Sequence, residues 1–285
     1  MPLVTSENML LRAQKEKWAV PAFNAENMEM VQAIISAAEA FSAAEGLYAP
    51  VIIQTTPGTL KYGSLDLFYA ITAALAGQSS AVIAIHLDHG DSFSLAAQAL
   101  RSGYTSIMID GSQKILEENI GITKSVVELC RPNNIPVEGE LGKVGGKEDD
   151  TEDSGSGYTD PEEAVEFAER TGVSSLAVGV GTAHGVYSKT PELNLDLISL
   201  LRSKISVPMV LHGASGLSSE VLGECIKRGI CKINFATDLR IAYTQGVREF
   251  LAAKGDTIDP KGFGKAGREA VTAKVHEIIR ICIKS

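Results

Sequence analysis

No window of this 285-residue chain approaches the ~18 consecutive apolar residues that a membrane-spanning helix needs. The N-terminal stretch MPLVTSENMLLRAQKEKW lacks a basic start followed by an apolar core, so no secretory signal is expected. Positive charge is scarce as well. The net charge is −9 and no Lys/Arg cluster stands out, which argues against a nucleic-acid partner. The four cysteines, Cys130, Cys225, Cys231 and Cys282, form no C-x-x-C pair and read as buried thiols in a reducing cytoplasm. No G-x-G-x-x-G opens the first helical pattern, which weakens a dinucleotide-binding reading.

What is present is apolar and regular. Hydrophobic residues make up 45%, with 27 glycines, enough to bury a large core. Eight short apolar windows recur: WAVPAF (18–23), PVIIQT (50–55), AVIAIHLD (81–88), SIMID (106–110), PVEGEL (136–141), SLAVGVG (175–181), PMVLHG (208–213) and CKINFA (231–236). Strands covered on both faces have this look. Helical patterns separate them at 27–40, 65–75, 93–102, 116–130, 160–171, 195–203 and 218–228, and two longer ones close the chain at about 238–253 and 263–282. The 160–171 helix is the best marked, with Asp160 as N-cap, Pro161 at the first position, Glu163 in the first turn and Gly172 after the end.

Roughly eight βα units without a domain-scale linker predict an α/β protein, a closed eight-stranded parallel (β/α)8 TIM barrel spanning residues 1–285 as a single domain. Two stretches depart from the spacing. The first helical pattern runs on through AEAFSAAEGLYAP (38–50), beyond what the unit length explains. The acidic, Gly/Ser-rich, non-periodic segment at about 143–160, GGKEDDTEDSGSGYTD at its centre, reads as a long mobile active-site loop.

Barrel chemistry gathers at the C-terminal ends of the strands. Those ends carry Asn24, Asp88-His89, Asp110, Glu140, His184-Gly185, His212-Gly213-Ala214-Ser215 and Asn234-Phe235-Ala236-Thr237. Four of the five histidines lie at or near them. Contact with water explains Ser and Asp at strand ends, but not this placing of histidine. Three neutral imidazoles with an open position make a catalytic zinc site. Their spacing matches no local motif such as H-E-x-x-H, so the residues alone leave a metal site and separate polar histidines both open. In HLDHGDS (86–92), His86 and Asp88 share a side of the strand and His89 stands at its end. His86 lies deeper and reads as a hydrogen-bonded interior residue. Asp91 reads as a charge favoured at the start of the following helix. The turns HGASG (212–216) and NFAT (234–237) each precede a helix and suit anion binding by backbone N–H groups.

LDHGDS, VEGELGKVGGKEDD, GTAHGVYSKTP, LHGASGL and KINFATDL together resemble the class II, zinc-dependent ketose-bisphosphate aldolases, in family order over essentially the whole chain. TPGTLKYGSL, AHGVYSKTP and the alanine of NFATDL look more like the tagatose-1,6-bisphosphate than the fructose enzymes. The resemblance implies His89, His184 and His212 as Zn2+ ligands, Asp110 and Glu140 at a second metal position, and Asp88 as the acid–base group at the substrate C4 hydroxyl. It implies Glu148 as the acid that moves the proton on dihydroxyacetone phosphate. Gly185, Gly213, Ala214, Ser215 and Asn234, Phe235, Ala236 and Thr237 would hold that phosphate beside a Na+ or K+ ion, and Asn24 is grouped with them as substrate-binding. The family's Asp-Pro-Arg near the last helix reads Asp259-Pro260-Lys261 here, so Lys261 supplies charge without a bidentate fork, and the grip on the second phosphate is open between Lys261 and Arg268.

The implied activity is cleavage of a ketose 1,6-bisphosphate by a cytoplasmic homodimer or homotetramer with no membrane partner. The competing lysine Schiff base finds no Lys in SLAVGVGTAHG, and Lys232 lies at the wrong end of its strand. A metal-dependent sugar-phosphate isomerase or epimerase, or a non-catalytic aldolase-like subunit, are the alternative readings.

Overall fold

A computed structural model describes residues 3–148, 151–153, 157–187 and 191–284, with the side chains at 147, 148 and 151–153 outside the description. The chain begins α1 (Glu7–Glu16), β1 (Val20–Asn24), α2 (Met28–Glu45), β2 (Val51–Thr55), α3 (Pro57–Gly63), α4 (Leu65–Gln78), β3 (Ile83–Gly90), α5 (Phe93–Ser102) and β4 (Ser106–Ile109). It continues α6 (Leu116–Cys130), β5 (Val137–Leu141), β6 (Gly145–Glu148), β7 (Thr151–Asp153), α7 (Pro161–Thr171), β8 (Ser175–Val178) and β9 (Ala183–His184). It ends α8 (Leu195–Lys204), β10 (Met209–Leu211), α9 (Ser219–Lys227), β11 (Ile230–Phe235), α10 (Thr237–Ala253) and α11 (Pro260–Lys284).

Eight parallel strands close into a barrel in the order β1-β11-β10-β8-β5-β4-β3-β2. Each overlaps one of the eight apolar windows, with β1, β3 and β11 extending one or two residues beyond theirs, and the helices between them make the fold a TIM barrel in a single domain. Asp160 caps α7 as expected: its side chain accepts from the N–H groups of Glu162 and Glu163 at 2.8 and 3.1 Å, and Gly172 ends the helix at φ 70°. Ser92, one residue beyond Asp91, caps α5. The long first helix has a physical reason. α2 continues to Glu45 because Phe41 is fully buried against the last helix, edge-on to His276 at 5.5 Å, while Glu45 pairs with Lys284 at 2.6 Å.

The main core lies between barrel and helices. A second, smaller apolar cluster plugs the N-terminal end of the barrel, where Met9, Leu10 and Ala13 of α1 meet Val20, Ala22, Ile52 and Ala84. Above this plug the interior turns polar. Ser106, His86, Glu138, Lys232, Gln54 and Asp88 are all buried there. The four cysteines are free and buried.

The 143–160 segment contains regular structure that its composition hides. β6 pairs antiparallel with β7 and parallel with β9, so Gly146 stands in register with His184. Gly146 has φ 97°, and a Cβ there would strike the His184 carbonyl. The pairing therefore needs glycine. Residues 149–150 and 154–156 of the predicted loop lie outside the described residues.

Candidate metal and active site

Asp88, near the end of β3, is fully buried and its carboxylate is held by three amides. Asn24 and Gln54 donate to Oδ2 at 2.8 and 3.0 Å, and Asn234 donates to Oδ1 at 3.1 Å. The three donors come from β1, β2 and β11, so barrel closure itself builds the clamp. Gln54 also donates to Asn24 Oδ1 at 2.8 Å. Sequence reasoning overlooked Gln54, though an amide near the end of the apolar run PVIIQT was the signal.

His89 follows with φ 48°, in the left-handed region, at a break in the β3–β4 register. This bend turns its ring over the mouth. His89, His184 and His212 converge with ring centroids 4.7–6.1 Å apart. One nitrogen from each lies within 4.8 Å of the others, and His89, Asp110 and Glu140 form a second such group.

The protonation pattern tests whether a cation fits. Asp110 Oδ2 lies 2.8 Å from His89 Nδ1, and Glu138 Oε1 lies 3.0 Å from His212 Nε2. Ionised carboxylates only accept, so those two nitrogens carry hydrogen. The remaining nitrogens, His89 Nε2 and His212 Nδ1, then present lone pairs to each other across 3.0 Å. Two acceptors that close call for a proton or a metal ion between them, and a metal with His184 as third ligand suits the donor set.

The electrostatics agree. Burial lowers the His212 imidazole further than its hydrogen bond to Glu138 raises it, so the ring is neutral. Burial would raise the Glu138 carboxyl, but the Lys232 ammonium at 2.8 Å and the His212 hydrogen bond hold it far below the usual range. Asp110 is likewise held low against the effect of burial, by its hydrogen bond from His89. His86 is fully buried, with Nδ1 at 2.7 Å from Ser106 Oγ, and burial drives it well below the ordinary imidazole value.

Beside the histidines opens a cleft lined by Asn24, His184, Gly185, Gly213, Ser215, Asn234, Ala236, Thr237 and Arg240. Tyr187 ties its walls together, accepting from Ala183 N at 2.8 Å and donating to Gly213 O at 2.7 Å. Gly213 has φ 65°, and a Cβ there would come within 2.6 Å of the Ala183 carbonyl. Ser215 Oγ accepts from the N–H groups of Ala236 and Asp238, both at 3.3 Å, which fixes the N-terminus of α10 against the cavity. Such a terminus favours an anion.

The remaining predicted residues fall elsewhere. Ala214 is fully buried, and Phe235 packs its ring on Phe23 in the core at 6.0 Å. Lys261 is exposed, its ammonium 2.8 Å from Asp259, and Arg268 donates to Gln32 at 2.8 Å. The side chain of Glu148 lies outside the described residues, although its backbone ends β6. The guanidinium at the cavity is that of Arg240, one turn into α10, which donates from Nε to Glu26 Oε1 at 2.8 Å. Its place three residues after Thr237 was the available signal.

A model of the class-II fructose-bisphosphate aldolases matches residues 4–285. The chain belongs to that family. Among solved structures, the YdjI aldolase from Escherichia coli K12 is 34% identical, with 98% of this chain and 97% of that one covered at a TM-score of 0.86. A Coccidioides immitis protein provisionally described as a fructose-1,6-bisphosphate aldolase is 29% identical, covering 96% of this chain and 94% of that one, TM-score 0.87. The fructose-bisphosphate aldolase of Campylobacter jejuni, at 23% identity, 99% and 96% coverage and TM-score 0.81, shares the fold.

The buried imidazoles give this aldolase-family chain a pH signature. His86 and His212 titrate below the ordinary imidazole value when folded. As pH falls below ~6.5 the unfolded chain takes up protons that the fold refuses. The metal-free protein is therefore expected to lose about 1.4 kcal/mol per pH unit for each ring between that value and the lower folded ones. Urea midpoints at pH 7.5 and 5.5 measure it, and equal midpoints would contradict it. Carboxylates held low add their loss only below about pH 4.

Proposed function

We propose that this protein is a zinc-dependent aldolase that reversibly cleaves a ketose 1,6-bisphosphate between C3 and C4, giving dihydroxyacetone phosphate and glyceraldehyde 3-phosphate. The observation that carries it is the convergence of three imidazoles beside a buried, amide-clamped carboxylate at the rim of an anion-favouring cavity. Zinc bound by His89, His184 and His212 would supply a Lewis acid for the negative charge that develops on the C2 oxygen. Asp110 and Glu140, grouped with His89, suit a second metal position.

The chain's own residues divide the remaining work. Asp88 takes the C4 hydroxyl proton during cleavage and returns it during condensation. The three amides aim its oxygens and keep water from competing. Gly213, Ser215 and the first turn of α10 receive one phosphate, with a sodium or potassium ion beside it in the same reading. Arg240, on the wall of the same cavity and paired with Glu26, adds a guanidinium to that phosphate pocket. Glu148, carried by β6, is assigned the carbon proton of the three-carbon product.

Lys232 is a poor Schiff-base lysine, since its side chain is 1% exposed and held by Glu138. The substrate is tagatose or fructose 1,6-bisphosphate, which are C4 epimers; the sequence blocks that look like the tagatose enzymes are the reason to include the first. A coupled assay for triose phosphate release, run with both bisphosphates, tests the proposal through kcat/KM. Release from neither would overturn it and favour an isomerase or a non-catalytic subunit.

A further inference from the structure

Glu138 and Lys232 form an ion pair at 2.8 Å in the barrel interior, with side chains 2% and 1% exposed. Taking two charges out of water costs several kcal/mol per ion, and apolar residues of similar volume usually serve stability as well or better. The pair touches the site at one place, where Glu138 Oε1 meets His212 Nε2 at 3.0 Å. We propose that Glu138 is a positioning residue that fixes His212 as the Nε2–H tautomer, so that Nδ1 presents its lone pair to the metal. The inference rests on the metal reading above.

The need for such a device is visible on the other side of the ring. His212 Nδ1 lies 3.5 Å from Glu140 Oε2 and 3.0 Å from His89 Nε2. Both are acceptors, and both favour a hydrogen on Nδ1, the tautomer that cannot bind a metal there. A neutral imidazole has a single hydrogen to place. The closer, fully buried Glu138 carboxylate claims it for Nε2. Lys232 holds the second carboxylate oxygen and leaves Oε1 for the histidine. The register of the barrel fixes this arrangement, with Glu138 opposite Met108 on β4 and Ser175 on β8, and Lys232 opposite Val20 on β1 and Val210 on β10.

Glu138→Gln separates this role from packing. The Lys232 ammonium demands an acceptor, so the new amide turns its oxygen to Lys232 and its NH2 to His212. That converts Nε2 to an acceptor and moves the hydrogen to Nδ1. In E138Q/K232M the amide is free to turn back, and the Nε2–H tautomer returns.

The test is imidazole 15N NMR of the metal-free proteins, together with zinc titration against a competing chelator. The expected result is an Nε2–H His212 in the parent, Nδ1–H in E138Q with zinc affinity lower by about 10–100-fold, and recovery of both in E138Q/K232M. A folded E138Q with the parent tautomer, or with the parent's zinc affinity, would overturn the proposal. If E138Q does not fold, E138L/K232M, which leaves no buried charge, is expected to show the Nδ1–H form and the same loss; parent behaviour there overturns the proposal equally. A parent protein that binds no zinc would sink the metal reading instead, while the tautomer in metal-free protein would still report on Glu138.

Discussion

Asp88→Asn is expected to lower kcat by about 10²–10⁴-fold, the usual contribution of a positioned general acid–base group. It should leave the zinc content unchanged. Size and shape are kept, so the imidazole triangle has no reason to move. What is lost is the capacity to take a proton. The substitution also sets an amide donor against the donors that surround Asp88, Asn24 and Gln54 on one oxygen and Asn234 on the other. A stability loss of about 1–3 kcal/mol should accompany it, from a buried donor left without an acceptor. Steady-state kinetics, metal analysis and a melting curve on one preparation separate these effects. Undiminished kcat would remove Asp88 from the chemistry.

Exhaustive chelation is expected to abolish cleavage, and added zinc to restore it. A Lewis acid contributes several kcal/mol to a developing oxyanion, which at 1.36 kcal/mol per decade is about three orders of magnitude in rate. His184→Ala should behave like the chelated protein. His184, the third proposed ligand, takes no part in the His89–Asp110 and His212–Glu138 contacts, so its loss leaves them in place. Activity that survives chelation, together with borohydride trapping of substrate on the protein, would instead point to a lysine. The buried Lys232–Glu138 pair makes that outcome unexpected.

The barrel was legible because every strand is a short apolar run bounded by turn residues, a pattern set by burial on both faces. The helices that escaped notice have local reasons. Ser6, in the cap position of α1, makes no cap; its hydroxyl bonds Ser106 at 2.8 Å on the barrel floor. α3 has seven residues, too few to display a period. The β6–β7 hairpin is built mostly from Gly, Glu, Lys and Asp, which carry little strand propensity, and it gains its place by pairing with the strand that ends in His184.

The site divides along the same line. Residues at strand ends announced themselves by position. Gln54, Glu138 and Lys232 are polar side chains within otherwise mostly apolar strands, and one sequence does not tell an inward polar residue from an outward one. Arg240 was hidden because the cavity wall extends past the strand into the first turn of α10.

The backbone of His89 carries a cost of its own. Its left-handed backbone, φ 48°, costs about 1–3 kcal/mol in a non-glycine residue. Gly90 beside it cannot drift either, since a Cβ would strike the Met108 carbonyl. Exchanging His89 for glycine would relieve this strain but remove a ring that meets Asp110 at 2.8 Å and His212 at 3.0 Å, so backbone ease and the imidazole cluster compete at this one residue.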